Sequence, residues 1–327
     1  MKYIRPIMYS FLLFILVITL SGCESMVVFD PQGPVARNLT DLIIFSIVFM
    51  AIIVLVVYAL FAFIVWKYRE KPSNMDYEPE EEEGSKKLEI IWFVIPVIIV
   101  IVLTIPTVIT TTELEDVPAG YEDQEPLVIH VTSADWKWVF SYPEQDIETV
   151  NYINIPEDRP IHFKMTSVGT MQSFWVPALG GQKYAMANMQ TQLYLVADNP
   201  GSYIGRNTNF NGRGYAHMQF EVLAQTHKDF DEWVDEVKNT ASELTEEKYE
   251  EILYPGNVGR MTFNGTHLDW VNHAHGGNEK YLNPDAYKLH HGDEEEHADT
   301  EQEQVEEKEE SEESNHEENH SHHGGDH

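Results

Sequence analysis

Two uninterrupted apolar runs constrain this chain more than any other feature. Residues 42–66 supply 25 consecutive uncharged positions and residues 90–112 supply 23. At 1.5 Å per residue either run crosses a ~30 Å hydrocarbon core, so the sequence predicts two membrane helices rather than two buried helices of a soluble fold. Lys67, Arg69, Lys71, Lys86 and Lys87 lie close to the inner ends of the runs. By the positive-inside rule they set the connecting segment in the cytoplasm and everything after about residue 113 outside. The acidic stretch at 76–83 counts for little in that rule. Pro96 and Pro106 stand within the second run, and each frees a carbonyl that a neighbouring helix has to satisfy. A larger membrane assembly is the expected setting.

Ahead of the first run, residues 1–22 read as an export signal. Lys2 and Arg5 form its basic start, and residues 11–20 form an apolar stretch too short to span a bilayer. It ends in Leu20-Ser21-Gly22-Cys23, which resembles the bacterial lipobox, so Cys23 is the expected lipid attachment site. Cys23 is also the one cysteine of the chain. No intrachain disulfide and no thiolate metal cluster can form downstream of it.

Beyond the second run the pattern changes to short β-rich segments at 127–132, 136–142, 151–155, 161–165, 193–196 and 218–223, separated by turn residues. Such spacing predicts a β-sandwich or barrel, and about a hundred residues suffice for its core. Phe230, Trp233, Val234 and Val237 then recur at helical spacing. A second helix is expected to start at Thr245 as N-cap, with Glu246 and Glu247 in its first turn and a Leu244/Tyr249 staple. These helices read as an arm packed on a neighbouring protein, with packing on their own domain as the alternative.

The formal charge of −33 is concentrated at the C-terminus, where residues 293–327 hold 16 acidic side chains and one Lys. From residue 290 onwards His290, His291, His297, His316, His320, His322, His323 and His327 are interspersed among these acids. This composition cannot bury a core and predicts disorder. It suits either weak metal binding or solubilisation, since no fixed spacing defines a coordination geometry. Nowhere does the chain offer the Lys/Arg patch that a phosphate backbone requires, which excludes nucleic acid as a partner.

Several motifs fall in one order along the chain: Leu88-Glu89-Ile90-Ile91-Trp92-Phe93-Val94-Ile95-Pro96, then Asp135-Trp136-Lys137-Trp138, then Ser173-Phe174-Trp175-Val176-Pro177. Their order and spacing resemble subunit II of haem-copper terminal oxidases over nearly the whole chain. The resemblance implies a membrane α-helical hairpin followed by an all-β, cupredoxin-like Greek-key sandwich. The expected organisation is a signal peptide at 1–22, a lipid-anchored segment at 23–39, transmembrane helices at 40–67 and 88–112 around a cytoplasmic loop at 68–87, the external domain at 113–225, the helical arm at 226–275 and a disordered acidic, His-rich tail at 276–327.

In the cytochrome c oxidase branch of that family a dinuclear copper centre is held by a His and by a Cys-x-Glu-x-Cys-x-x-x-His-x-x-Met string. Here the corresponding positions are Gln172, Asn207, Asn209, Asn211, Tyr215 and Met218. A lone thioether cannot replace the thiolates and imidazoles that copper requires there. His162 and His217 stand at no ligand position and read as structural or surface residues. Trp136 and Trp138 resemble the aromatic patch of the copper-containing branch and, without copper behind them, read as packing residues.

The resemblance therefore implies the quinol-oxidising branch, which Gly180-Gly181-Gln182-Lys183-Tyr184-Ala185-Met186 and the loop from Arg206 to Gly212 also resemble. The implied complex oxidises quinol, reduces oxygen to water and translocates protons. Its haems and remaining copper sit in the partner subunit I, and this chain binds no cofactor and has no catalytic residue. Subunit I, smaller membrane subunits, membrane lipid and quinol are the expected partners, and cytochrome c is not one. The expected location is the cell membrane, with the C-terminal domain on the outer face. Glu89, at the cytoplasmic end of the second span, marks by resemblance the entrance of a proton channel; pairing with Lys86 or Lys87 is the alternative. The competing reading of the whole chain is a membrane-anchored lipoprotein that binds extracellular metal through its His-rich tail.

Overall fold

A computed structural model describes residues 26–69, 84–276 and 278. The signal segment, Cys23, most of the loop at 68–87 and nearly all of the tail lie outside the described residues. The two apolar runs form α1 (Pro34–Tyr68) and α2 (Lys86–Glu113). Pro34 opens α1 at a position where no backbone N–H is needed. Pro96 and Pro106 lie inside α2, which stays helical through both. Only the outer end of α1 is buried, at Val35, Ala36 and Thr40. Asn38, Leu42 and Phe45 of α1 face Pro106 and Thr110 of α2, so the helices run as a hairpin.

The external domain contains β1 (Leu127–Ala134), β2 (Lys137–Tyr142), β3 (Ile147–Val150), β4 (Tyr152–Pro156), β5 (Ile161–Ser167), β6 (Gln172–Trp175), β7 (Lys183–Ala185), β8 (Thr191–Leu195), β9 (Gly201–Asn207) and β10 (Gln219–Gln225). After these come α3 (His227–Thr240), β11 (Ser242–Glu243), α4 (Glu246–Leu253) and β12 (Met261–Asn264). Two sheets pack face to face, one in the order β11-β12-β3-β2-β1-β5-β8 and the other in the order β4-β10-β9-β6-β7. β1 pairs in parallel with β5 and β4 with β10. These crossovers give the sandwich that the resemblance predicts.

The period of two in β1 sends Leu127, Ile129 and Val131 into the space between the sheets, together with Phe163 and Met165 of the neighbouring strand. At the centre Phe174 of β6 stacks on Phe220 of β10 at 4.9 Å between centroids and meets Trp138 edge-on at 5.4 Å. Trp138 has no exposed surface, in keeping with its reading as a packing residue.

The helices after β10 do not form an arm reaching for a neighbour. Every residue of β2 and β3 is buried, so the outer face of the larger sheet needs a cover of its own. Val139 and Val150 on that face join Leu244, Tyr249, Ile252, Leu253 and Phe263 in a second core. Phe230 and Val237 of α3 enter the main core. The apolar stripes read as available to a partner are therefore consumed within the domain, and β12 extends the sheet by pairing with β3. The Thr245 cap and its staple are as expected, with the hydroxyl accepting from Lys248 N and both Leu244 and Tyr249 buried.

Candidate functional site

Gln172, Asn207, Asn209 and Asn211, which the resemblance sets against copper-ligand positions, come together at one end of β6 and β9 and in the loop that follows. Asn207, the last residue of β9, is buried and uses its whole amide. Its Oδ1 accepts from Ser173 N at 2.9 Å and Asn209 N at 3.0 Å. Its Nδ2 donates to Asn209 O at 3.0 Å and Asn211 Oδ1 at 3.1 Å. Asn209 Nδ2 in turn donates to Met171 O at 2.7 Å. The loop is thus folded on side-chain amides.

A second set of bonds converges on Asp135, at the corner between β1 and β2. Asp135 Oδ1 accepts from Gln172 Nε2 at 2.7 Å, Thr170 Oγ1 at 2.9 Å and Asn211 Nδ2 at 3.4 Å. Burial pushes the Asp135 carboxyl above its ordinary range, and the bonds from Thr170 and Gln172 oppose that shift. Gln172 Oε1 is buried with no partner among the described residues. Met218 is buried, whereas Tyr215 is half-buried against the exposed Phe210 ring.

Trp136 closes the corner: its Nε1 donates to Asn211 O at 3.0 Å, and its ring lies against the backbone of Gly212 and Gly214. A Cβ at Gly214 would come within 2.3 Å of that ring, so only glycine allows the approach. Beside it, Lys137 is 1% exposed, and burial pulls its ammonium down to about 8 against the attraction of Asp135. Lys137 Nζ donates to Tyr254 O, which ties the corner to the chain end of α4.

The other expected residues lie apart from this cluster. Glu89 is exposed in the first turn of α2, and among the described residues its carboxylate forms no ion pair with Lys86 or Lys87. His217 is exposed, and His162 stacks on Tyr194 at 4.3 Å, both consistent with surface roles. Sequence reading missed Asp135 as an acceptor hub, although an acid beside two tryptophans between β-rich runs was its visible signal. It also missed Glu148, whose buried Oε2 lies 2.7 Å from Nδ1 of the equally buried His267.

Comparison with known proteins places these features. Residues 23–109 match the family model "Cytochrome C oxidase subunit II, transmembrane domain", and residues 144–225 match "Cytochrome C oxidase subunit II, periplasmic domain". Quinol oxidase subunit 2 of Bacillus cereus is 56% identical over 257 residues, 78% of this chain and 88% of the relative. Quinol oxidase subunit 2 of Bacillus subtilis is 52% identical over 275 residues, 84% of this chain and 85% of the relative. Among solved structures, the periplasmic domain of subunit II of cytochrome oxidase from Bradyrhizobium japonicum matches with 21% identity and a TM-score of 0.33, over 34% of this chain and 91% of that one. With two apolar helices and a periplasmic-type domain, the chain is a membrane protein whose C-terminal domain lies outside. It belongs to the subunit II family of terminal oxidases, among the quinol oxidase subunits 2.

Proposed function

We propose that this chain is the copper-free subunit II of a respiratory oxidase that takes electrons from quinol, reduces oxygen to water and translocates protons. One observation carries the reading: of the positions that hold copper in the cytochrome c oxidase branch, Gln172, Asn207, Asn209 and Asn211 are amides already committed to one another, to the backbone and to Asp135. Neutral amide groups engaged in this way do not fit copper, which favours thiolate and imidazole donors. Without that centre a soluble cytochrome has no port of entry here, and the electron donor is the membrane-dissolved quinol. Haems and the remaining copper belong to subunit I, against which the apolar faces of α1 and α2 and the carbonyls freed by Pro96 and Pro106 are satisfied. Cys23 carries the lipid anchor, and Glu89 marks the mouth of a proton-uptake path into subunit I. The chain's own work is assembly and positioning, with no cofactor bound.

The test is to purify the complex through this chain and measure haem and copper content together with oxygen uptake. Haem present, quinol oxidised and reduced cytochrome c ignored is the expected outcome. Rapid oxidation of cytochrome c would overturn the copper-free reading. A haem-free preparation with copper held by the His-rich tail would make the chain a metal-binding lipoprotein instead.

A further inference from the structure

The outer end of α1 does not simply emerge from the membrane; it is docked on the sandwich. Gln32 N donates to Ala178 O at 2.8 Å, and Asp198 N donates to Gln32 O at 2.9 Å. Arg37 pairs with Asp198. Gly180 and Gly181 let helix and loop approach closely: a Cβ at Gly180 would meet Leu195 Cδ2 at 2.4 Å and Val35 Cγ1 at 2.9 Å, and one at Gly181 would meet Leu39 Cδ1 at 3.2 Å. Just below this contact the two surfaces part. A cleft of about 360 Å³ opens between Leu39, Thr40 and Ile43 on one face of α1 and Trp175, Pro177 and Gly181 on the sandwich, with Val28 at its rim.

The chemistry of the walls favours an apolar occupant. The Thr40 hydroxyl, which donates, is within bonding distance of Val28 O at 2.7 Å and Ala36 O at 2.8 Å. The Trp175 indole N–H donates to Gly180 O at 3.0 Å. At the far edge Gln182 Oε1 accepts from Ser173 Oγ at 3.0 Å and Thr208 Oγ1 at 2.5 Å. These polar atoms are already engaged, and apart from the Gln182 Nε2 at the edge what remains is aliphatic and aromatic surface level with the start of the apolar run of α1. At ~30 Å³ per water-sized group the cleft takes roughly a dozen methylenes.

The chain itself supplies such an occupant. Val28 at the rim is five residues from Cys23, a reach of at most about 17 Å of extended chain. The residues between include Met26 and Val27, which are exposed apolar side chains beside the rim. We propose that the cleft seats one acyl chain of the lipid on Cys23, so that the anchor is folded back against the protein and braces α1 on the external domain. This rests on the proposed lipid attachment and goes beyond it by assigning the chain a site.

The experiment uses the intact complex from cells grown with a diazirine-bearing fatty acid, irradiated, digested and mapped by mass spectrometry. The expected result is a crosslink from the Cys23 peptide to peptides spanning residues 36–43 or 175–182. Gly181→Leu, which fills the cleft, should abolish it; Ile43→Trp, at the half-exposed end, provides a second blocking variant should the first fail to assemble. An acylated Cys23 crosslinked only to bulk phospholipid or to a partner subunit overturns the acyl seat and leaves the anchor standing. A phospholipid adduct alone in the cleft does the same. An unmodified Cys23 in the unirradiated sample overturns the anchor and the seat together.

Discussion

Glu148 Oε2 and His267 Nδ1 lie 2.7 Å apart with neither side chain more than 2% exposed, on strands and loops 119 residues apart in sequence. The same oxygen accepts from His267 N at 3.1 Å and Ser141 Oγ at 2.9 Å. This one carboxylate therefore fastens the segment after β12 to the outer face of the larger sheet. Removing one partner of a buried hydrogen-bonded pair strands the other without solvent, at a cost on the order of 3 kcal/mol. Glu148→Ala should lower the unfolding midpoint of the external domain and raise deuterium exchange over residues 261–276. Unchanged exchange there would show that the pair does not hold the segment.

Asn207→Ala should be nearly as damaging, for a different reason. It leaves the buried Ser173 N and the half-buried Asn209 N without their acceptor, and an unsatisfied buried group costs about 1–3 kcal/mol. Thermal unfolding of the purified complex checks the size of the loss. Asn207→Asp, which keeps both acceptor bonds, should recover part of it.

Lys137 predicts an alkaline dependence. Its folded-state value of about 8 lies below the ordinary 10.5, so between these values the unfolded chain binds a proton that the folded one has released. Stability from this group is present above 10.5 and is lost as pH falls through about 8; the slope approaches ~1.4 kcal/mol per pH unit within the window. Lys137→Met should flatten that rise in a comparison of unfolding midpoints from pH 7 to 10. Parallel curves for the two proteins would assign the slope elsewhere.

Glu89→Gln tests the proposed proton entrance. Quinol-driven oxygen uptake and proton release by the complex in vesicles should both fall, with assembly and haem content retained. Lys86→Ala and Lys87→Ala should leave turnover near normal, because no ion pair to either lysine is seen at the described Glu89 carboxylate. If Glu89→Gln turns over normally, the entrance lies elsewhere.

The hairpin was legible because a run of more than twenty uncharged apolar residues admits few other structures. Six strands were legible as short β-rich runs between turn residues. β9 was not, since Gly201, Ser202, Gly205 and Arg206 carry little apolar signal and the strand is set by pairing with β10. The covering role of α3, α4 and β12 was hidden for a related reason: amphipathic spacing shows that a helix has a face to bury, not which surface receives it. At the site, motif spacing singled out Gln172, Asn207 and Asn211. It could not show that they meet Asp135, because that acceptor is 37 residues from Gln172 and 76 from Asn211 and is brought to them only by the fold.

Burial of β2 on both faces also imposes an order of events on export. Val139 and Ser141 stay wet until the covering segment arrives, and its residues, among them Leu244, Ile252 and His267, lie more than a hundred positions later. A chain crossing the membrane from its N-terminus thus exposes an unfinished sheet until that segment has passed. Cleavage or early termination at the end of β10 would leave a hairpin in the bilayer bearing a sandwich with one apolar side bare, a target for quality-control proteases rather than a smaller working subunit.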